Sequence, residues 1–176
     1  MIARVMLTMT VLIALHLAAA ASNYTDRYFG FRVAVPTGKM VCLPDGTTSN
    51  HGYIVLWDTT DCHFIVRPPG IYVYATHNGD EDATTTSDLA KDLCGGNLSG
   101  PSPFSVSGFR FSQCRSATRE GRPGLEYFVL RHVKGGYPGS EPKYGVSLIC
   151  PHDDCRSLMP MTRWIFAHMK FIKQVY

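Results

Sequence analysis

SLICPHDDCRSL (147–158) sets Cys150 and Cys155 either side of a histidine and two aspartates, with four residues between the cysteines. Residues of these types serve three chemistries: metal binding, thiol redox and disulfide bonding. Cys150, His152 and Cys155, joined by Asp153 or Asp154, could supply a divalent metal with ligands. Their spacing fits none of the usual zinc patterns, and the second half-site a structural zinc needs is missing. A redox dithiol prefers C-x-x-C at a helix start, whereas here the first cysteine ends a strand. The reading that fits is a disulfide closing a short turn, with Pro151, His152, Asp153 and Asp154 held out as an acidic tip. A rigid polar tip suits recognition because little ordering entropy is lost on binding. His152, Asp153 and Asp154 are therefore candidate partner-binding residues.

A second acidic cluster lies in HNGDEDATTTSD (77–88). Asn78, Asp80, Asp82 and Thr84 alternate as at the start of a calcium loop, but Ala83 stands where its glycine belongs and Leu89 where its bidentate glutamate belongs. The segment reads as a solvated loop before a helix N-terminus, which favours carboxylates. Asp80, Glu81 and Asp82 are the second candidate partner-binding surface. No metal and no cofactor is expected.

Nucleophile patterns fail one by one. Gly145-Val146-Ser147 begins a nucleophile elbow, but Ile149 replaces its second glycine. Ser140-Glu141-Pro142-Lys143 matches S-x-x-K in form only, since Pro142 spoils the helix that chemistry needs. His51, His63, His77, His132 and His168 are scattered, so a triad could assemble only in three dimensions. His63 reads as a packed or surface residue and His168 as a packed one. No catalytic residue is assigned.

The thiol chemistry depends on the compartment, and the chain's first residues bear on it. MIARVMLTMTVLIALHLAAAAS has one cation, Arg4, then an apolar run decaying into alanines, the pattern of a cleaved secretory leader over residues 1–21. Without Arg4 the 17 Lys+Arg fall to 16 against 14 Asp+Glu, a balance too even to favour nucleic acid. No later stretch is long and apolar enough to span a bilayer, so no membrane anchor is expected after cleavage. Periplasmic or secreted location follows. All six cysteines, Cys42, Cys62, Cys94, Cys114, Cys150 and Cys155, remain in residues 22–176 and are expected to pair. Sequential pairing is the expectation because each neighbouring pair brackets one hairpin, crossover or turn, although sequence alone leaves the connectivity open.

The elements that must position these groups follow from periodicity. YFGFRVAV (28–35) alternates as a strand with one buried face and stops at Pro36-Thr37-Gly38. GYIVLW (52–57), CHFIV (62–66) and IYVYA (71–75), separated by turn residues, read as an antiparallel meander. Tyr72 and Tyr74 could make a binding face but read more readily as core. TTTSDLAKDLC (84–94) carries helix start signals and stops at Gly95-Gly96. NLSGPSPFSVSG (97–108) reads as a connection, and FRFSQC (109–114), LEYFVLRHV (125–133) and YGVSLIC (144–150) as three more strands. A closing helix begins near Pro160, with Met161, Trp164, Ile165, His168 and Ile172 on one stripe and Lys170 and Lys173 near its end. The fold class is α+β: a single disulfide-stapled domain over 22–176, with a mostly antiparallel sheet of six to seven strands and two helices.

YFGFRVAVP near the start, the meander, and RWIFAHMKFIK at the end together resemble the PsbP-type α/β/α sandwich. The six cysteines are not part of that pattern. The resemblance implies a protein that binds partners more readily than it catalyses. The functional expectation is a non-catalytic protein-binding module, in its sharpest form an immunity-type inhibitor of an envelope-acting toxin or hydrolase. The alternatives are a small exported hydrolase with a histidine–carboxylate site, for which His63, His132 and His152 are candidate bases, and a structural component of the envelope.

Overall fold

The computed structural model describes residues 22–42, 54–56, 69–77, 85–94, 98–117, 121–131, 142–152 and 154–175. The expected leader, the 62–66 strand and the Cys42–Cys62 pairing lie outside the described residues. Seven strands form one antiparallel sheet: β3 (Met40–Cys42), β4 (Ile54–Leu56), β5 (Gly70–His77), β6 (Leu98–Val106), β7 (Phe109–Ala117), β8 (Pro123–Leu130) and β9 (Pro142–Ile149), in the spatial order β3-β4-β5-β9-β8-β7-β6. A second, three-stranded sheet is made by β2 (Phe31–Val35) between β1 (Ser22–Asp26) and β10 (Met169–Phe171). The α+β class, the antiparallel sheet and two helices agree with the sequence reading.

Side-chain alternation sorts the large sheet into two faces. Tyr127 and Val129 of β8 join Ile71, Val73, Tyr144, Val146 and Leu148 in the main core, closed by the small sheet and by α2 (Met159–His168). Phe128 and Leu130 point the other way, to Cys114 and to Leu89 and Ala90 of α1 (Thr86–Cys94). Helix α1 starts as its sequence requires. The Asp88 amide donates to the Thr85 hydroxyl (3.1 Å) and the Thr85 amide to the Asp88 carboxylate (3.1 Å), a reciprocal cap. The Thr85 hydroxyl bond is the main reason the exposed Asp88 carboxyl lies below its ordinary pKa.

Four expectations change. The first strand does not begin at Tyr28: residues 27–30 form a turn, the Phe29 amide donating to Asp26 Oδ1 (2.9 Å), and the strand runs only from Phe31. Gly30 is the reason, with φ of 71°, a left-handed conformation that costs other residues.

The 97–108 connection is strand β6. Pro101 and Pro103 are tolerated there because β6 lies at the sheet edge and its pairing with β7 shifts register between Leu98 and Ser105. A tight turn at Ser107-Gly108, both with positive φ, joins the two strands.

The closing helix ends at His168. Met169 is extended (φ −90°, ψ 142°), and Met169–Phe171 pairs antiparallel with β2, so Lys170 and Lys173 do not lie in a helical last turn. The buried helix face is Thr162, Ile165 and Phe166, shifted from the predicted stripe.

His168 is exposed. Its ring stacks on Trp164 (4.3 Å between centroids) and Nδ1 lies 2.7 Å from the Trp164 carbonyl. The stripe's shift turns it away from the core.

Candidate functional site

The Cys150–Cys155 bridge is formed, with Cα atoms 4.6 Å apart. Cys94–Cys114 is formed as well, joining the end of α1 to β7. Both agree with sequential pairing. Such bonds persist in oxidising compartments, which makes the location extracytoplasmic. Among the described residues, no helix is long and apolar enough to cross a membrane.

The tip is anchored on both sides. The Cys150 amide donates to the Pro123 carbonyl at the start of β8 (3.0 Å), and the Leu158 amide donates to the Cys155 carbonyl (3.0 Å), opening a 3₁₀ turn (Arg156–Leu158) that runs straight into α2. Both cysteines are buried, while Pro151 and His152 are exposed. Asp154 is not a free acidic group. Its Oδ1 accepts from the Arg156 amide (2.8 Å) and its Oδ2 pairs with Arg156 Nε. Those Arg156 hydrogen bonds hold the Asp154 carboxyl below its ordinary pKa. Asp153 lies outside the described residues, as do Asp80, Glu81 and Asp82. Of the six candidate partner-binding residues, the structure therefore places His152 on the surface and Asp154 in the base of the same turn.

A cleft of about 300 Å³ opens beside the bridge. Arg115 and Leu125, directly paired across β7 and β8, form one wall; Cys150–Cys155, Arg156 and Met159 form the other. Gly124 lets the strands close behind it: a Cβ there would lie 2.7 Å from the Leu148 carbonyl oxygen and 2.8 Å from Ser116 Oγ. Met159 is held in place by the Tyr127 hydroxyl, 3.7 Å from its sulfur. Sequence reasoning missed this cleft. Arg115 and Arg156 are 41 positions apart in the chain, and only the pairing of β7 with β8 and the closure of the tip bring them to one rim.

A second constellation escaped notice on the other face of the sheet. Cys114, Glu126, Ser147 and Tyr72 stand in one cross-strand row. The Ser147 hydroxyl donates to Glu126 Oε1 (2.5 Å), and the Tyr74 hydroxyl lies 3.5 Å from Oε2. Tyr72 is fully buried and Tyr74 half-buried, which settles the tyrosine face as mainly core. Ser147, the residue of the failed nucleophile elbow, thus has a carboxylate as its described partner. His152 and His168, the histidines whose side chains are described, lie at the tip and on α2. Among the described residues no three His, Cys, Asp or Glu side chains converge as metal ligands would.

No protein-family model and no curated protein sequence matches the chain. The structure is similar to that of the cyanobacterial PsbP protein of Synechocystis sp. PCC 6803, with a TM-score of 0.48 and 12% identity over 87% of this chain and 93% of that one. It is also similar to LpqN of Mycobacterium tuberculosis, a protein involved in cell envelope biogenesis, with a TM-score of 0.47 and 14% identity over 87% and 86% of the two chains. Both are structural likenesses at TM-scores below 0.5, and function resides in sites rather than folds.

Proposed function

We propose that this protein is a periplasmic or secreted, non-catalytic binding module that holds another protein through the tip closed by Cys150–Cys155. The observation that carries this reading is the construction of the tip. A buried disulfide and two backbone hydrogen bonds fix its base, and Pro151 and His152 project from it into solvent. Such a surface is ordered before the partner arrives, so binding costs little conformational entropy. The sharper form of the proposal is an immunity-type inhibitor of a toxin or hydrolase that acts in the envelope, with Asp80, Glu81 and Asp82 as a second contact region.

The test is capture with the oxidised protein as bait, followed by calorimetry on the purified partner. The expected result is one stoichiometric partner whose affinity falls in His152→Ala and in Asp153→Lys without loss of thermal stability. Charge reversal at Asp80, Glu81 and Asp82 tests the second region in the same way. Unchanged affinity in both sets of variants would remove these surfaces from the proposal. A partner whose enzymatic activity is blocked at one equivalent would establish inhibition.

A further inference from the structure

The cleft beside the tip has chemistry that recognition by Pro151 and His152 leaves unused. Among the described residues, its charged groups are Arg115, Arg156 and Asp154. Asp154 is engaged by Arg156 through both carboxylate oxygens, whereas Arg115 makes no ion pair with any described residue. Two arginines against one aspartate leave a single net positive charge, and the surface between them carries the apolar side chains of Leu125 and Met159.

That balance selects a ligand class. A cationic amine meets the wrong sign. A phosphate monoester brings a second negative charge that the cleft does not match. A carboxylate brings one charge, and its two oxygens fit the planar fork of a guanidinium. The volume of about 300 Å³ is at the small end of the roughly 300–1,000 Å³ usual for small-molecule sites, so the rest of the ligand must be short. We propose that this cleft binds a small monocarboxylate with a short apolar body, its carboxylate on Arg115 and its body against Leu125 and Met159. Because Asp154 stays ionised below the ordinary carboxylate range, the charge balance persists into mildly acidic solution. The proposal does not rest on the protein partner proposed for the tip, although the two surfaces share Cys150, Asp154 and Cys155.

Hexanoate and N-acetyl-leucine are suitable probes, titrated into the purified oxidised protein and followed by calorimetry and by amide NMR shifts. Saturable one-to-one binding is expected, with shifts at Gly124, Leu125, Cys155 and Arg156. Arg115 is exposed, so Arg115→Gln should fold normally while losing affinity by about tenfold, the worth of one charge-assisted contact. Leu125→Asn should weaken both probes by removing apolar wall. Hexylamine and inorganic phosphate should leave the same amides unmoved. Tighter binding of N-acetyl-leucine would identify the C-terminus of a peptide as the source of the carboxylate, and tighter binding of hexanoate a free organic acid. The proposal is overturned if neither carboxylate binds saturably at millimolar concentration, if Arg115→Gln binds as well as the native protein, or if phosphate competes on equal terms.

Discussion

The hydroxyl of Tyr144, fully buried in β9, donates to the backbone carbonyl of Phe29, in the turn ahead of β2. This bond ties the seven-stranded sheet to the three-stranded one across 115 positions of sequence. The Tyr144 ring also packs edge-on against Phe31 and at a tilt against Phe171, so one side chain touches both β2 and β10. Tyr144→Phe keeps the packing and removes the donor. It should cost about 1–2 kcal/mol, the range for losing one buried hydrogen bond. Denaturant titration checks this; an unchanged midpoint would mean that packing alone joins the sheets.

Gly30 joins the same turn to the end of the chain. The Ile172 amide donates to its carbonyl (2.8 Å), and the Val175 amide donates to that of Arg27 (2.9 Å). A Cβ at position 30 would lie 2.9 Å from the Ile172 carbonyl oxygen, on a backbone already left-handed. Gly30→Ala should therefore cost roughly 2–4 kcal/mol, combining the left-handed penalty with overpacking. Hydrogen exchange at Ile172 and Val175 should accelerate before the rest of the sheet does. Exchange that stays slow at both would show that this turn does not hold the C-terminal segment.

The Cys94–Cys114 bridge closes a separation of 20 residues and sits in the smaller core with Phe128 and Leu89. The chain-entropy estimate for a loop of this size is about 3 kcal/mol. Replacing both cysteines by alanine should lower stability by about that amount. The expected readout is a fall in the unfolding midpoint together with faster exchange in α1, whose packing partners are Cys114, Phe128 and Leu130.

Tyr24 provides a test at alkaline pH. Burial, reinforced by the charge of Asp26 and a hydrogen bond to it, raises its pKa from 10.0 to about 12. The unfolded chain releases this proton near the ordinary value, while the native protein keeps it until about 12. The group's contribution is thus fully present below pH 10 and is lost as pH rises through that window. Phenolate absorbance should show a late-titrating component that Tyr24→Phe reduces, Tyr127 also being raised by burial, and the variant should lose less stability between pH 10 and 12 than the native protein does.

Much of the architecture was written locally. Thr85 and Asp88 announce a helix because a cap needs only residues three apart, and the structure shows that reciprocal bond. LEYFVLRHV (125–133) and YGVSLIC (144–150) read as strands without reference to any neighbour, and strands β8 and β9 lie there. Cys150 pairs with Cys155, as the expectation of sequential pairing had it.

What tertiary structure decided was wherever a backbone's partner lay far away. Pro101 and Pro103 argue against a strand until the segment is known to lie at a sheet edge, where a missing N–H costs nothing. Nothing local stops the closing helix at His168; it stops because Met169–Phe171 is needed to pair with β2, more than a hundred residues earlier. The cleft is the clearest case. Arg115, Leu125, Arg156 and Met159 share no motif, and each alone reads as an ordinary strand or helix residue. Sequence by itself determined the oxidised α+β domain, since caps, alternation and nearby cysteines are short-range physics. The site had to wait for the fold, because a recess is a property of surfaces brought together rather than of neighbours along a chain.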